Sequence, residues 1–227
     1  MLAKFPLFLN KICPHCSPNS KHGQLTGQFF VQVFLITPNE LDEKTFQPKL
    51  VSALETGLVS ALLLTRAGLN HQQYENRVRA LAPLAQSSDC AVLLDNCPEL
   101  VKQFRADGVY VSSGQNRFVQ AINALKPQYI VGAGDVHSRH EAMLRGEVGA
   151  DFILFGSLER TPDRATRELA QWWAELFETP CVLSDPVTPA HELAPQNGEF
   201  VGLGTNVWNA PQGPAQAVKL AMSGNGR

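Results

Sequence analysis

The sequence predicts an eightfold βα barrel, and three observations predict it. Eight short apolar runs recur along the chain: Val31–Thr37, Val59–Thr65, Cys90–Asp95, Gly108–Ser112, Tyr129–Ala133, Asp151–Gly156, Pro180–Ser184 and Glu199–Gly204. Most are near-continuous rather than alternating, as strands buried on both faces should be. Helical patterns fall between them, so strand and helix alternate. Eight such units close a barrel and abolish both sheet edges, whereas a doubly wound open sheet usually has fewer strands and keeps two edges.

The intervening segments carry their own start and stop signals. Leu50, Val51 and Leu54 end at Gly57, a C′ glycine. Asn70 caps a helix with Tyr74, Val78, Leu81 and Ala85 on one face. Pro98 opens the next, with Leu100, Val101 and Phe104 as its stripe. Phe118, Val119, Ile122 and Leu125 form another, stopped by Pro127, and Ser138 caps a short helix with Ala142 and Met143. The strongest stripe is Leu169, Trp172, Trp173, Leu176 and Phe177, followed by Pro180. Thr188-Pro189 and Gly213-Pro214 each read as a cap followed by an N1 proline.

Composition narrows the function. Hydrophobic residues are 44% and charged residues 18% of 227, which excludes wholesale disorder. A formal charge of -2 gives no polyanion footprint, so nucleic acid is not expected as a partner. No apolar run has a membrane span's length, and the opening MLAKFPLFLN lacks a signal-peptide core and cleavage site, so the expected compartment is the cytoplasm and no membrane partner is expected. Residues 1–28 read as an N-terminal extension, 29–222 as the barrel and 223–227 as a tail. Five cysteines argue against a disulfide framework, and Cys90, Cys97 and Cys181 read as core. Cys13 and Cys16 form C-P-H-C, half a zinc site by spacing; the alternative is a reduced, metal-scavenging tail.

In such a barrel, chemistry sits just after each strand. Those positions hold Thr37, Arg66, Asp95-Asn96, Ser112-Ser113, Gly134-Asp135 with His137, Ser157 to Arg164, Ser184-Asp185-Pro186 and Thr205-Asn206. Several of the segments follow a known order. Gly149-Ala150-Asp151-Phe152 with Thr161, Ala106-Asp107-Gly108-Val109-Tyr110-Val111, Leu94-Asp95-Asn96 and Leu64-Thr65-Arg66 resemble, in that arrangement, the G-A-D-Y/T-x-T-K, A-D-G-V-H-L, I-N-D and Q-L-R segments of the thiamine-phosphate synthase family, which includes a thiazole tautomerase branch. The resemblance covers about residues 31 to 220.

The resemblance implies a reaction that joins an aminopyrimidine diphosphate to a thiazole phosphate and releases pyrophosphate. Departure of that anion calls for Mg²⁺ and for donors placed where charge develops. Small phosphorylated thiamine precursors are then the partners, and assembly into a homo-oligomer is left open. Arg66 matches the family's diphosphate-binding Arg, and Asp95 is the candidate Mg²⁺ ligand. Asn96, Ser157, Thr161, Gly204 and Thr205 are candidate substrate contacts, although Asn96 also reads as an N-cap before Pro98. Arg164 replaces the Lys of the loop after the sixth strand and would close over the leaving group, within a cluster of Arg160, Arg164 and Arg167. His137, with Asp135 to orient it, is the candidate general acid/base, the tautomerase branch having a His in this neighbourhood.

The chain also departs from the pattern. Leu64 and Gly68 stand where the family has Gln and Lys, Gln115 where it has a second metal-binding Asp, Gly134 about where it has Ser, and Asp163 where it has Thr. A Gly-Gly that offers bare N–H groups to a phosphate is Asp185-Pro186 here; Pro has no N–H. An Asp185 carboxylate facing the phosphate would cost about 4 kcal/mol per charge pair at ~4 Å and an effective dielectric near 20. The site therefore reads as eroded. The alternatives are a tautomerase-like enzyme needing fewer phosphate donors, a non-catalytic binder of a thiamine precursor or other small phosphate ester, or a barrel kept for a protein contact at an exposed Trp172-Trp173 pair.

Overall fold

A computed structural model describes residues 31–193 and 198–223. Eight parallel strands close in sequence order, with β1 hydrogen-bonded to both β2 and β8. They are β1 (Gln32–Ile36), β2 (Val59–Leu64), β3 (Ala91–Asp95), β4 (Gly108–Val111), β5 (Ile130–Ala133), β6 (Phe152–Phe155), β7 (Cys181–Ser184) and β8 (Phe200–Leu203). The helices are α1 (Glu43–Leu54), α2 (His71–Gln86), α3 (Pro98–Phe104), α4 (Gln115–Leu125), α5 (Arg139–Val148), α6 (Arg164–Leu176), α7 (Thr205–Trp208) and α8 (Pro214–Ser223).

Two apolar clusters hold the fold. Alternate strand residues such as Phe34, Leu93, Phe152 and Phe200 fill the barrel interior, which is therefore packed and not a pore. The other strand face packs on the helices through a second, larger cluster. Several of the expected caps are present, although Glu55 is the C-cap of α1 and Gly57 lies one residue beyond C′. Asn70 and Gln73 form a reciprocal capping box, Ser138 accepts from Glu141 N–H, and Pro98 occupies the first turn of α3.

Three expectations are corrected. Thr188-Pro189 starts no helix: among the described residues, the segment between β7 and β8 holds only a turn closed by Glu192 N–H on the Pro189 carbonyl (2.8 Å). The Thr188 hydroxyl instead meets Thr161, and its carbonyl takes the Asn206 amide. Trp172 and Trp173 do not form an exposed pair; Trp173 is 1% exposed and stacks on Phe177 at 4.0 Å, while Leu176 of the same stripe points outward. Cys97, and not Asn96, is the N-cap of α3. Cys13 and Cys16 lie outside the described residues.

Candidate functional site

The C-terminal ends of β2, β3 and β4 are tied together by side chains. Tyr74 of α2 inserts its hydroxyl where the β2–β3 ladder ends, donating to the Leu64 carbonyl (2.7 Å) and accepting Asp95 N–H (2.8 Å). Two residues beyond Leu64, Arg66 N–H donates to Asp95 Oδ2 (3.0 Å), and the Arg66 guanidinium reaches Cys97 Sγ (3.3 Å). Asp95 Oδ1 accepts from Asn96 Nδ2 (2.7 Å). Asn96 takes a left-handed φ of 53°, a region its short polar side chain tolerates, and its amide exchanges two hydrogen bonds with Ser112 at 2.9 Å each. Arg66, Asp95, Asn96 and Ser112 thus form one continuous network. Burial pushes the Asp95 carboxyl above its ordinary range, while the Arg66 N–H and the Asn96 amide pull it back.

Around β4, β5 and β6 the mouth is shaped by Tyr110. Its ring belongs to the barrel-interior cluster, and a Cβ added at Gly134 would lie 2.0 Å from the Tyr110 hydroxyl oxygen. A larger residue at 134 requires the Tyr110 ring to move. Beyond it, Asp135 in a left-handed φ of 55° pairs through Oδ1 with His137 Nε2 at 2.8 Å, on the exposed entry to α5. The Ser157 hydroxyl accepts Glu159 N–H (3.1 Å), and the Ser157 carbonyl takes the Ser184 hydroxyl (2.7 Å). Thr161 meets Thr188 at 3.3 Å. Arg164 stands apart: as the first residue of α6 its side chain is 92% exposed and bonded to Glu168 (2.6 Å), not drawn over the mouth. Helix geometry explains this, since residues four apart share a face and Asp163 is the cap.

At the ends of β7 and β8 the expected placement of charge is also corrected. The Asp185 side chain is fully buried, and its Oδ2 is ion-paired with Arg167 Nη2 at 2.7 Å, with Oδ1 accepting Thr188 N–H (3.3 Å). Its charge is thus met by Arg167 within the protein rather than left unpaired at the mouth. The donors after β8 are turned inward: Thr205 Oγ1 (2.9 Å) and Asn206 N–H (2.8 Å) both donate to the Pro186 carbonyl, and Gly204 N–H donates to Asn206 Oδ1 (2.9 Å). Close packing of Gly204 on Pro186, 2.7 Å from a Cβ added there, requires the glycine.

A cleft of about 520 Å³ opens beside Ile36, Thr37, Leu158, Glu159, Gly204 and Thr205. The Asn39 amide donates to Glu159 across the mouth, joining the β1–α1 and β6–α6 loops. Beneath it, Arg77 is buried, with its pKa drawn down by desolvation and supported by Glu43.

Motif reading located the strand-end residues, Asn206 among them, and put Arg167 in a basic cluster, but gave no site role to Tyr74, Arg77 or Tyr110. Arg77 left one signal, a charged residue on the apolar face defined by Tyr74, Val78 and Leu81. The others required the partner's position.

The fold defines the class: parallel α/β barrels that carry small-molecule sites at this end. The family model of thiamine monophosphate synthase matches residues 33–191. The thiamine-phosphate synthase of Rhodospirillum centenum is 34% identical over 194 residues, covering 82% of this chain and 94% of that one. The corresponding protein of Hyphomonas neptunium is 32% identical over 200 residues, covering 83% and 90%. A solved thiamine phosphate pyrophosphorylase from Pyrococcus furiosus superposes with a TM-score of 0.68 at 18% identity, over 86% of this chain and 95% of that one. The chain belongs to the thiamine monophosphate synthase family, and its role lies in thiamine biosynthesis.

Proposed function

We propose that the protein couples an aminopyrimidine diphosphate to a thiazole phosphate and releases pyrophosphate. The observation that carries this is the Arg66–Asp95–Asn96–Ser112 network, which joins the Arg66 backbone N–H, a buried carboxylate, an amide and a hydroxyl after β2, β3 and β4, with the Arg66 guanidinium beside Cys97 Sγ. Arg66 holds diphosphate oxygens through its fork. Asn96 and Ser112 orient the pyrimidine end, and Gly204 and Thr205 border the thiazole phosphate. The diphosphate leaves with the electron pair of the bond it breaks, and the thiazole takes its place.

Asp95 fits a Mg²⁺ ion that arrives with the diphosphate. Among the described residues no three His, Cys, Asp or Glu side chains form a metal cage, and Mg²⁺ on phosphate substrates commonly needs only one or two protein carboxylates. A carboxylate made less stable by burial gains from a cation beside it. When bound, Mg²⁺ neutralises charge on the departing pyrophosphate. The inward-turned donors around Pro186 support weaker capture of the thiazole phosphate than a bare Gly-Gly nest would give.

The assay is direct. Purified protein with both substrates and Mg²⁺ forms the coupled phosphate product, and Arg66→Ala lowers kcat/KM for the diphosphate by about a hundredfold, the loss of a bidentate charge-assisted contact. No product at high enzyme concentration overturns the reading. The Asp135–His137 pair favours one alternative, proton transfer in thiazole tautomerisation. That reading requires His137→Ala to abolish aromatisation of the thiazole precursor.

A further inference from the structure

Arg77 is a buried guanidinium outside the network that Arg66 and Asp95 anchor. It is 1% exposed on α2, beneath the mouth. Nη1 donates to the Thr65 carbonyl and Nη2 to the Asn39 carbonyl, both at 3.0 Å. Its carboxylate neighbour, Glu43, is 3.8 Å from Nε, and Nε has no hydrogen-bond partner among the described residues. Desolvating a charge for two carbonyls and one half-exposed carboxylate at 3.8 Å, with Nε left without a hydrogen bond, is costly, and an apolar side chain of like volume would fill the space without that penalty. Packing alone therefore does not explain an arginine here.

The two carbonyls do. Thr65 O is one end of the peptide group whose other end is Arg66 N–H, and that N–H is bonded to Asp95 Oδ2 at 3.0 Å. Arg77 and Asp95 grip a single peptide plane from opposite ends. The second carbonyl belongs to Asn39, whose side chain reaches Glu159 across the mouth. A guanidinium offers two donors in a rigid fork, so it holds both carbonyls at one spacing, which a lysine cannot do.

We propose that Arg77 is a positioning residue for the diphosphate end of the site. By fixing the Thr65–Arg66 peptide and the Asn39 carbonyl together, it sets the direction in which Arg66 leaves the backbone. This role rests on the reading of Arg66 as the diphosphate clamp.

The test uses Arg77→Met and Arg77→Lys in the full chain. Hydrogen exchange at the Arg66 amide should rise about tenfold in Arg77→Met, as loss of one charge-assisted hydrogen bond gives, with residues 184–188 unchanged. Calorimetry with inorganic pyrophosphate and Mg²⁺ should show about tenfold weaker binding, and the KM for the diphosphate should rise while that for the thiazole phosphate stays within about twofold. Arg77→Lys should recover part of the binding. Adding Arg77→Met to Arg66→Ala should weaken pyrophosphate binding no further than Arg66→Ala alone. Unchanged Arg66 exchange overturns the proposal, as do equal rises in both KM values or additive losses in the double variant, which mark a purely structural role. If Arg77→Met does not fold, Arg77→Lys carries the same exchange and binding measurements. Wild-type protein that binds no pyrophosphate overturns the reading of Arg66; wild type and Arg77→Met binding it equally overturns the role of Arg77 alone.

Discussion

Asp95 shows how one side chain is placed against its own stability. Its carboxyl is buried, and burial outweighs the Arg66 N–H and the Asn96 amide in setting its pKa above the ordinary value of 3.8. A raised carboxyl pKa in the folded state means the protonated form is favoured there, so this group's contribution to stability falls as pH rises from the unfolded value through the folded one. Above that window the penalty is complete. Asp95→Asn in metal-free buffer removes the ionisable group and should flatten the Tm–pH curve in the acid range, but its NH2 faces either the Arg66 N–H or the Asn96 amide, so Tm at pH 7 should fall by the loss of one buried hydrogen bond, about 1–3 kcal/mol, while product formation is lost; thermal melts from pH 3 to 8 check it. Tyr110 and Gly134 form a second linked pair. The resemblance sets a Ser near 134 and a His at 110, and the Tyr110 hydroxyl takes the volume a side chain at 134 would need. Gly134→Ser alone should destabilise by about 2 kcal/mol through overpacking. Tyr110→His combined with Gly134→Ser should recover most of that, which denaturant unfolding of the single and double variants measures.

Helices carry much of the positioning. α2 delivers both Tyr74 and Arg77, three residues apart and so on one face, to the end of β2. Its start is set by the Asn70–Gln73 capping box, with Gln73 N–H to Asn70 Oδ1 at 2.9 Å and Asn70 N–H to Gln73 Oε1 at 3.0 Å. Asn70→Ala should cost about 1 kcal/mol, near 3 °C in Tm for a chain of this size, measurable by calorimetry. Caps of this kind are legible in the amino-acid order because they are local: Asn70, Pro98 and Ser138 lie within four residues of what they serve. Thr188-Pro189 carries the same signal and starts no helix. There the partners come from Thr161 and Asn206, distant in sequence, and they take the Thr188 hydroxyl and carbonyl instead.

Closure of the whole barrel depends on the seam where β8 meets β1. Leu35 pairs with Leu203, and α7 is bolted across the junction by Trp208, whose Nε1–H donates to the Ile36 carbonyl at 2.7 Å and whose ring meets Phe46 edge-on at 4.7 Å. Lys49 Nζ donates to the Trp208 carbonyl at 3.2 Å. Trp208→Leu would leave the Ile36 carbonyl unpaired and open a void, a loss of about 3 kcal/mol. A single unfolding transition lowered by about 10 °C is the expected result in a thermal melt. Two transitions would mean the barrel does not unfold as one unit.

Strand number and parallel closure are legible in the chain, because buried strands write themselves as apolar runs and caps as short polar signals. So are Arg66, Asp95 and Asn96, which the structure joins in one network. Side-chain direction is not. Asp185 reads as a charge aimed at a phosphate, yet Arg167, eighteen residues away, claims it. Arg164 reads as a lid, yet helix geometry gives it to Glu168. Periodicity is a property of neighbours along the chain; the partner of a buried charge is settled only when distant segments meet, because its energy depends on what replaces water around it.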